Sequence, residues 1–358
     1  MIRFIENILK CIAVSVFIAP LAAVNAAESS VKMQAGQSIL GGGSQPAANV
    51  YSNWAQTFMG ANKDVSITYK ISNVVKGISD LEENKIDFAG SEIPLKVEEL
   101  HKKNLYQFPT ALISFSPVAN LPGIKNGDLR LDDATLAGIF MGTIKKWNDP
   151  RLVELNPRLP LPDKAIITVH RNSGNTITYV LSSYLSKVNP EWAAKIGVGS
   201  TLNWPVGQEV GNGTNEDMMA YIKNTPYTFG FTMMSLIVKN NLNLIKMKNK
   251  DGKFVASTPE SVMAATNNAK WSEDDGFYNI LTNQSGLDTW PFVMTGYATI
   301  KTVPANPQNT ASLLKYFESG LRKGQLDVYK AELVPLPDTV SMLIRKALKQ
   351  RMTAQRGN

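Results

Sequence analysis

Two hydrophobic periods alternate along this chain, and their alternation predicts an α/β fold. Val65-Ser66-Ile67-Thr68-Tyr69 switches at every residue, the period of a strand with one buried face. Upstream, Val50, Trp54 and Phe58 recur at helical spacing within a helix expected from Ala47 to Met59, and Pro46 suits its first turn. Ser72-Asn73 can cap the next helix, with Val74, Ile78 and Leu81 inside it. Ile86-Asp87-Phe88-Ala89 reads as a short strand ending in Gly90-Ser91-Glu92, and Ala111 to Asn120 as a long extended segment. Farther on, Ala165-Ile166-Ile167-Thr168-Val169 reads as a strand. It turns through His170-Arg171-Asn172-Ser173-Gly174-Asn175-Thr176 into a helix from Ile177 to Lys187. There is no internal repeat and no low-complexity segment, so strand–helix alternation sets the class.

The turn at 170–176 carries the candidate chemistry. The first N–H groups of a helix lack internal partners, and the helix dipole places partial positive charge there. Arg171 adds a planar, permanently charged fork that grips an oxyanion through two hydrogen bonds. Taken alone, the same segment also reads as a capped helix beside a surface arginine. Ser44, in Gly41-Gly42-Gly43-Ser44-Gln45-Pro46, Ser72 and Ser91 repeat the design at other strand or helix ends. In open α/β sheets that edge is where ligands settle. Each serine alone is equally read as a helix cap.

Phe115-Ser116-Pro117-Val118 is expected to cross from one lobe to a second, and Trp290-Pro291-Phe292-Val293 to cross back. That gives a discontinuous first lobe, 27–117 plus 296–358, with a second lobe, 118–295, inserted in it. Two connections form a natural hinge for closure on a ligand.

Residues 1–26 read as a secretory signal peptide: Arg3 and Lys10, an apolar run of 14 residues from Cys11 to Val24, then small residues at Val24-Asn25-Ala26. Cleavage is expected after Ala26, with Ala27 as the alternative. Cys11 begins the apolar run, the wrong place for a lipid-bearing cysteine. Because it is the single cysteine, the mature chain can form neither a disulfide nor a thiolate metal site. Removing the leader takes the net charge from +7 to +6, which suits an anionic small ligand or surface. The cations are too dispersed for a nucleic-acid protein. Only Arg345, Lys346, Lys349, Arg351 and Arg356 cluster, as a solvated C-terminal helix face.

Other chemistry is poorly supported. His101 and His170 are the two histidines, with no ligand spacing around them. Glu82-Glu83 and Asp274-Asp275 are adjacent and diverge on regular structure. Ser44 lacks the second glycine of a nucleophile elbow. Met233-Met234 and the six tryptophans read as core.

The chain resembles the periplasmic phosphate-binding proteins of the phosphate-specific ABC transporter over nearly its whole mature length. The blocks that carry the resemblance are Leu131-Asp132 with Thr135-Leu136, and Ile139 to Pro157. Gly199-Ser200-Thr201 with Trp204-Pro205-Val206-Gly207 follow, then Leu281-Thr282-Asn283-Gln284 with Trp290-Pro291. Leu336-Pro337-Asp338 and Ser91-Glu92-Ile93-Pro94-Leu95 complete the set. The resemblance implies a type II-like periplasmic binding fold, two lobes joined by two crossover segments. It implies a monomeric, non-enzymatic receptor in the periplasm that holds inorganic phosphate without a cofactor, metal or nucleic acid. It also implies delivery to an inner-membrane ABC permease. The alternative is a secreted or surface relative that binds another phosphate-containing ligand or acts as a weak phosphatase.

Residue by residue, the family's first-loop Thr-Phe pair falls on Ser44-Gln45, with one extra residue before Val50-Tyr51. Its second loop, a Gly-Ser-Ser-Gly-Gly run, falls on Asn73-Val74-Val75-Lys76-Gly77, where the hydroxyl donors are gone and Ser72 is the substitute. The aspartate that accepts the proton of hydrogen phosphate falls on Glu92, one methylene longer. The arginine falls on Arg171, and the Ser-Gly-Thr run on Asn175-Thr176-Ile177, or on Ser173-Gly174 after realignment. The implied ligand set is Ser44, Gln45, Ser72, Glu92, Arg171, Asn175 and Thr176. With donors lost, weaker phosphate binding than the family pattern is expected.

Overall fold

The computed structural model describes residues 36–171, 174–210 and 214–354. The leader and its cleavage point, Asn172, Ser173 and Arg356 lie outside the described residues. The chain begins with β1 (Gln37–Gly43), α1 (Gln45–Ala61), β2 (Val65–Ile71), α2 (Val74–Glu82), β3 (Phe88–Ser91) and α3 (Val97–Lys102). A long β4 (Leu105–Ala119) follows, then β5 (Arg130–Leu131), α4 (Asp133–Phe140), α5 (Pro150–Leu155), β6 (Ile167–His170), α6 (Thr176–Val188) and α7 (Pro190–Lys195). Next come β7 (Gln208–Glu209), α8 (Asn215–Asn224), β8 (Thr228–Met233), α9 (Met234–Lys239), β9 (Asn243–Leu244), β10 (Lys246–Lys248) and β11 (Phe254–Val255). The chain closes with α10 (Pro259–Asn267), β12 (Val293–Lys301), α11 (Pro307–Lys323), α12 (Gln325–Lys330) and α13 (Asp338–Ala354).

The main sheet runs β2-β1-β3-β12-β4-β8-β6-β7, with β9 also on β4, and β11-β10-β5 form a small second sheet. The expected one-faced strand is β2, at the edge of the sheet, where buried and exposed positions alternate at Val65–Thr68. β4 is different, buried along all 15 residues. Its first part, Leu105–Ser114, pairs antiparallel with β12, and its second part, Phe115–Ala119, with β8. The segment 115–118, expected as a linker, is therefore continuous strand that changes neighbours. Hydrogen bonding favours this solution, because a buried irregular crossing would orphan backbone groups that the sheet satisfies. Trp290 fixes the changeover, donating from Nε1 to the Phe115 carbonyl at 2.8 Å.

A register shift in the β4–β12 ladder leaves Thr110 unpaired opposite Gly296/Tyr297. Pro109, with no N–H to give the ladder, sits beside this bulge. The Thr110 hydroxyl is bonded to the Gly296 carbonyl at 3.0 Å and faces the Tyr51 hydroxyl at 3.1 Å.

Several blocks that carried the resemblance have local structural jobs. Asp132 and Thr135 make a capping box that starts α4. Asp149 caps α5 and is gripped by Arg151, while Trp147 is buried. Thr282 accepts from Lys187 through both its carbonyl and its hydroxyl, at 2.8 Å each. Met233 and Met234 depart from the expected core role: they are half-buried and line an apolar groove of about 450 Å³ with Val238 and Tyr329. Glu82 and Glu83 diverge as expected, toward Lys103 and Lys85 respectively.

Candidate functional site

β1, β2 and β3 are parallel and end side by side, with Gly43 level with both Ile71 and Gly90. The turn into α1 is tight. Gly43 has φ +129°, and a Cβ there would overlap the Gly90 carbonyl oxygen, so no other residue fits without rearrangement. Ser44 then starts α1, but its hydroxyl does not cap the helix. It donates instead to Oε1 of Glu92, the residue that follows β3. The Ser44 backbone is held on both sides, its N–H donating to the Gly90 carbonyl at 3.0 Å and its carbonyl accepting from the Tyr69 hydroxyl at 3.0 Å. The N-terminus of a 17-residue helix therefore has no capping side chain.

Glu92 is fully buried, and its Oε2 has no hydrogen-bond partner. Burial pushes its carboxyl up to about 7, against the lowering effect of the Ser44 hydroxyl and of its own backbone N–H. A buried carboxylate with one bare oxygen is a strong acceptor in wait for a proton.

The other residues of this group are less engaged. Gln45 begins α1 and is exposed. Ser72 is tied to the same turn through its N–H, which donates to the Gly43 carbonyl at 2.7 Å, while its hydroxyl leans on the Asn73 carbonyl at 3.3 Å. Asn73, not Ser72, caps α2. Gly77 packs α2 directly on the β1 turn, where a Cβ would lie 2.8 Å from Gly43 Cα. Ser91 turns onto its own loop, accepting from Ile93 N–H at 3.0 Å and donating to the Ile93 carbonyl at 2.8 Å.

The second group gathers at the end of β6. His170 is stacked on Trp204, with centroids 4.5 Å apart and planes 13° off parallel. Arg171 is half-buried, and Nη1 donates to Oδ1 of Asn215 at the start of α8. Partial burial draws its guanidinium below the ordinary range, and Glu216 opposes that shift. Asn175 caps α6 by accepting from Thr178 N–H at 2.9 Å, and its own N–H donates to the Ser200 carbonyl at 3.0 Å. Thr176 is the first helical residue and is half-buried.

The structure thus brings Ser44, Ser72 and Glu92 together, and separately Arg171, Asn175 and Thr176. Topology relates the two groups. β3 runs with β4, and Ser91 stands level with Pro109 across β12. β6 runs the opposite way, with Thr168 level with Ala119 across β8. Both sets of strand ends are therefore turned toward the middle of β4. Asn215 and Glu216 were absent from the sequence-derived set. The signal was present: Gly211-Asn212-Gly213-Thr214-Asn215 is another glycine-rich run entering a helix, with Thr214 as the cap. Among the described residues, no group of three or more His, Asp and Glu is placed to hold a metal ion.

The PBP superfamily domain model matches residues 28–318. The chain is also 35% identical over 315 residues to the phosphate-binding protein PstS of Haemophilus influenzae, covering 88% of this chain and 93% of that one. The chain belongs to the PstS family of phosphate-binding proteins. The PstS of Pasteurella multocida is likewise 35% identical, over 90% of this chain and 92% of its own length. Among solved structures, the phosphate-binding protein of Stenotrophomonas maltophilia superposes with a TM-score of 0.63 at 15% identity, covering 87% of this chain and 94% of that chain. The ABC-type phosphate transport receptor of Vibrio cholerae gives 0.56 at 16% identity, over 84% of this chain and all of its own. At such identities these structures share the fold, in agreement with the mixed sheet described above. Among the described residues, no helix of this PstS-family chain is long and apolar enough to cross a membrane.

Proposed function

We propose that this chain is a periplasmic receptor that binds inorganic phosphate and hands it to an inner-membrane ABC permease. The bound anion would sit between lobes formed by 27–117 plus 296–358 and by 118–295. Family membership supports the ligand class, and the likeness to the ABC-type phosphate transport receptor of Vibrio cholerae supports a transport role. The observation that carries the reading is the pairing of chemistries on opposed strand ends: a buried proton acceptor, Glu92, and a guanidinium, Arg171.

Hydrogen phosphate needs both. Its charged oxygens take the Arg171 fork and the N–H groups at the starts of α1 and α6. Its single proton goes to Glu92. A carboxylate facing an unprotonated oxyanion instead leaves two negative groups in contact, which disfavours sulfate. The Ser44 hydroxyl holds Glu92 in place, so Ser44 positions the acceptor as well as being a candidate donor. Asn73-Val74-Val75 presents no hydroxyl, and Val75 is 79% exposed, so the α2 loop adds little. Charge-assisted hydrogen bonds contribute about 1.5–3 kcal/mol each. Two lost donors place the affinity about a hundredfold or more below a site with all of them.

No catalytic step is proposed. Isothermal titration of the mature chain with phosphate tests the reading. Binding at micromolar to sub-millimolar phosphate is expected, and a folded sample that gives no heat at millimolar phosphate refutes it.

A further inference from the structure

We propose that the outer faces of α11 and α13 form a docking surface for an anionic lipid bilayer. The surface shares no residue with the Glu92 and Arg171 site, and its occupancy does not depend on phosphate.

The surplus charge of the mature chain is concentrated on these two helices. Together they carry seven lysines and arginines against two acids, Glu318 and Asp338, a surplus of five within a net charge of +6. Helical geometry then divides the C-terminal cations. Arg351 turns to the body of the protein, its guanidinium 3.4 Å from the Tyr106 ring centroid and 3.2 Å from the Glu273 carboxylate. Met342, Arg345, Lys346, Lys349 and Gln350 fall at i, i+3, i+4, i+7 and i+8, which makes one stripe. They line a shallow depression of about 520 Å³.

One carboxylate serves the seam between the helices. Glu318 of α11 lies 3.1 Å from Arg345, 3.6 Å from Arg322 and 4.0 Å from Lys349, and its side chain is 13% exposed. A single negative charge shared among three cations leaves a net positive field above the stripe. Lys315 and Lys346 extend that field; both are exposed, and neither is in an ion pair among the described residues.

The apolar positions select a membrane among polyanions. Met342 is 57% exposed within the cationic stripe, and Leu343 beside it is 37% exposed. At a headgroup boundary the apolar tips enter while the lysine stems lie along the interface and keep their charges in water. A purely acidic polymer meets the cations and leaves Met342 in water. Nucleic-acid bases find no ring to stack on, since α13 has no aromatic residue. The opposite face of α13, with Ile344, Ala347 and Leu348, is committed to the core, so attachment is peripheral and reversible. For an exported receptor it confines diffusion to the plane of the membrane.

The test is cosedimentation of the mature chain with vesicles of mixed phosphatidylglycerol and phosphatidylcholine, and of phosphatidylcholine alone, without added phosphate. Binding is expected to the anionic vesicles only, and to vanish at about 0.5 M salt, where the screening length is roughly 4 Å. Each cation near an anionic leaflet strengthens binding about fivefold, so Lys346→Gln with Lys349→Gln should weaken it about twenty-five-fold. The same loss of two charges at Lys125 and Lys145, both exposed and outside α11 and α13, should change it less than about threefold. Met342→Ser should weaken vesicle binding and leave any binding to polyglutamate unaltered. Equal losses from the two double variants overturn the proposal, because net charge then suffices. Polyglutamate bound as tightly as the vesicles, with no effect of Met342→Ser, assigns the surface to an acidic protein and also overturns it, as does the absence of binding at low salt. Phosphate titration of the same sample reads Glu92 and Arg171 independently, so failure here leaves the phosphate reading intact.

Discussion

Glu92→Gln should make the stability of this protein less dependent on pH, because a fully buried carboxyl gives way to a group that does not titrate. Burial moves the Glu92 carboxyl from its ordinary 4.5 to about 7. At about 1.4 kcal/mol per unit, the differential is about 3 kcal/mol. The sign follows from which state holds the proton more tightly. The folded chain does, so the contribution is fully present below about 4.5 and is lost as pH rises to about 7. Glutamine keeps a carbonyl acceptor for the Ser44 hydroxyl. It also places an NH₂ where Oε2 has no partner, a penalty of about 1–3 kcal/mol that does not change with pH. Urea unfolding of both proteins at pH 4.5 and 8, in buffer free of phosphate and sulfate, isolates the effect, since every other group titrates alike in the two. The stability difference between wild type and variant should change by about 3 kcal/mol between the two pH values, in the variant's favour at pH 8. An unchanged difference would refute the claim that Glu92 is buried without a counter-charge.

Other substitutions probe the supports of the site. Arg171→Lys keeps the charge but loses the fork, and phosphate affinity by titration should fall about tenfold to a hundredfold; an unchanged affinity would place phosphate elsewhere. Gly77→Ala puts a Cβ 2.8 Å from Gly43 Cα, so urea unfolding should show a loss of about 1–3 kcal/mol, whereas wild-type stability would mean that α2 does not press on the β1 turn. Trp290→Phe leaves the buried Phe115 carbonyl without its donor where β4 changes partners, for about 1–3 kcal/mol by the same measurement. Asp132→Ala removes a capping box and should cost about 1 kcal/mol; no loss would show that α4 is held by packing alone.

Much of the fold was legible because it is written in local periodicity. The alternating strand at Val65, the helix carrying Val50, Trp54 and Phe58, and the strand–turn–helix at Arg171 all stand where their patterns put them. The place of the β4 changeover was legible, and its strand partners were not. Ala111 to Asn120 reads as one extended segment with a crossing at Phe115 to Val118, and the strand does run through, but its exchange of β12 for β8 is a long-range pairing that no local window contains. At the site, residue types were readable and partnerships were not. Ser44 has the composition of a cap, but tertiary contact turns its hydroxyl to Glu92, 48 positions away. Ser72 looked like the donor of the α2 loop, and the neighbouring Asn73 does the capping. Arg171 was visible as a charge, but its partner Asn215 opens α8, 44 positions away, a partnership that appears only in three dimensions.

The central claim is that one anion meets Glu92 and Arg171 at the same time. Crystals of the mature chain grown with phosphate measure this directly. The account predicts a tetrahedral ligand within hydrogen-bond distance of both the Glu92 carboxyl and the Arg171 guanidinium, with the α1 and α6 N-termini turned toward it. A phosphate bound away from either side chain, or no phosphate between those strand ends at saturating concentration, would contradict it.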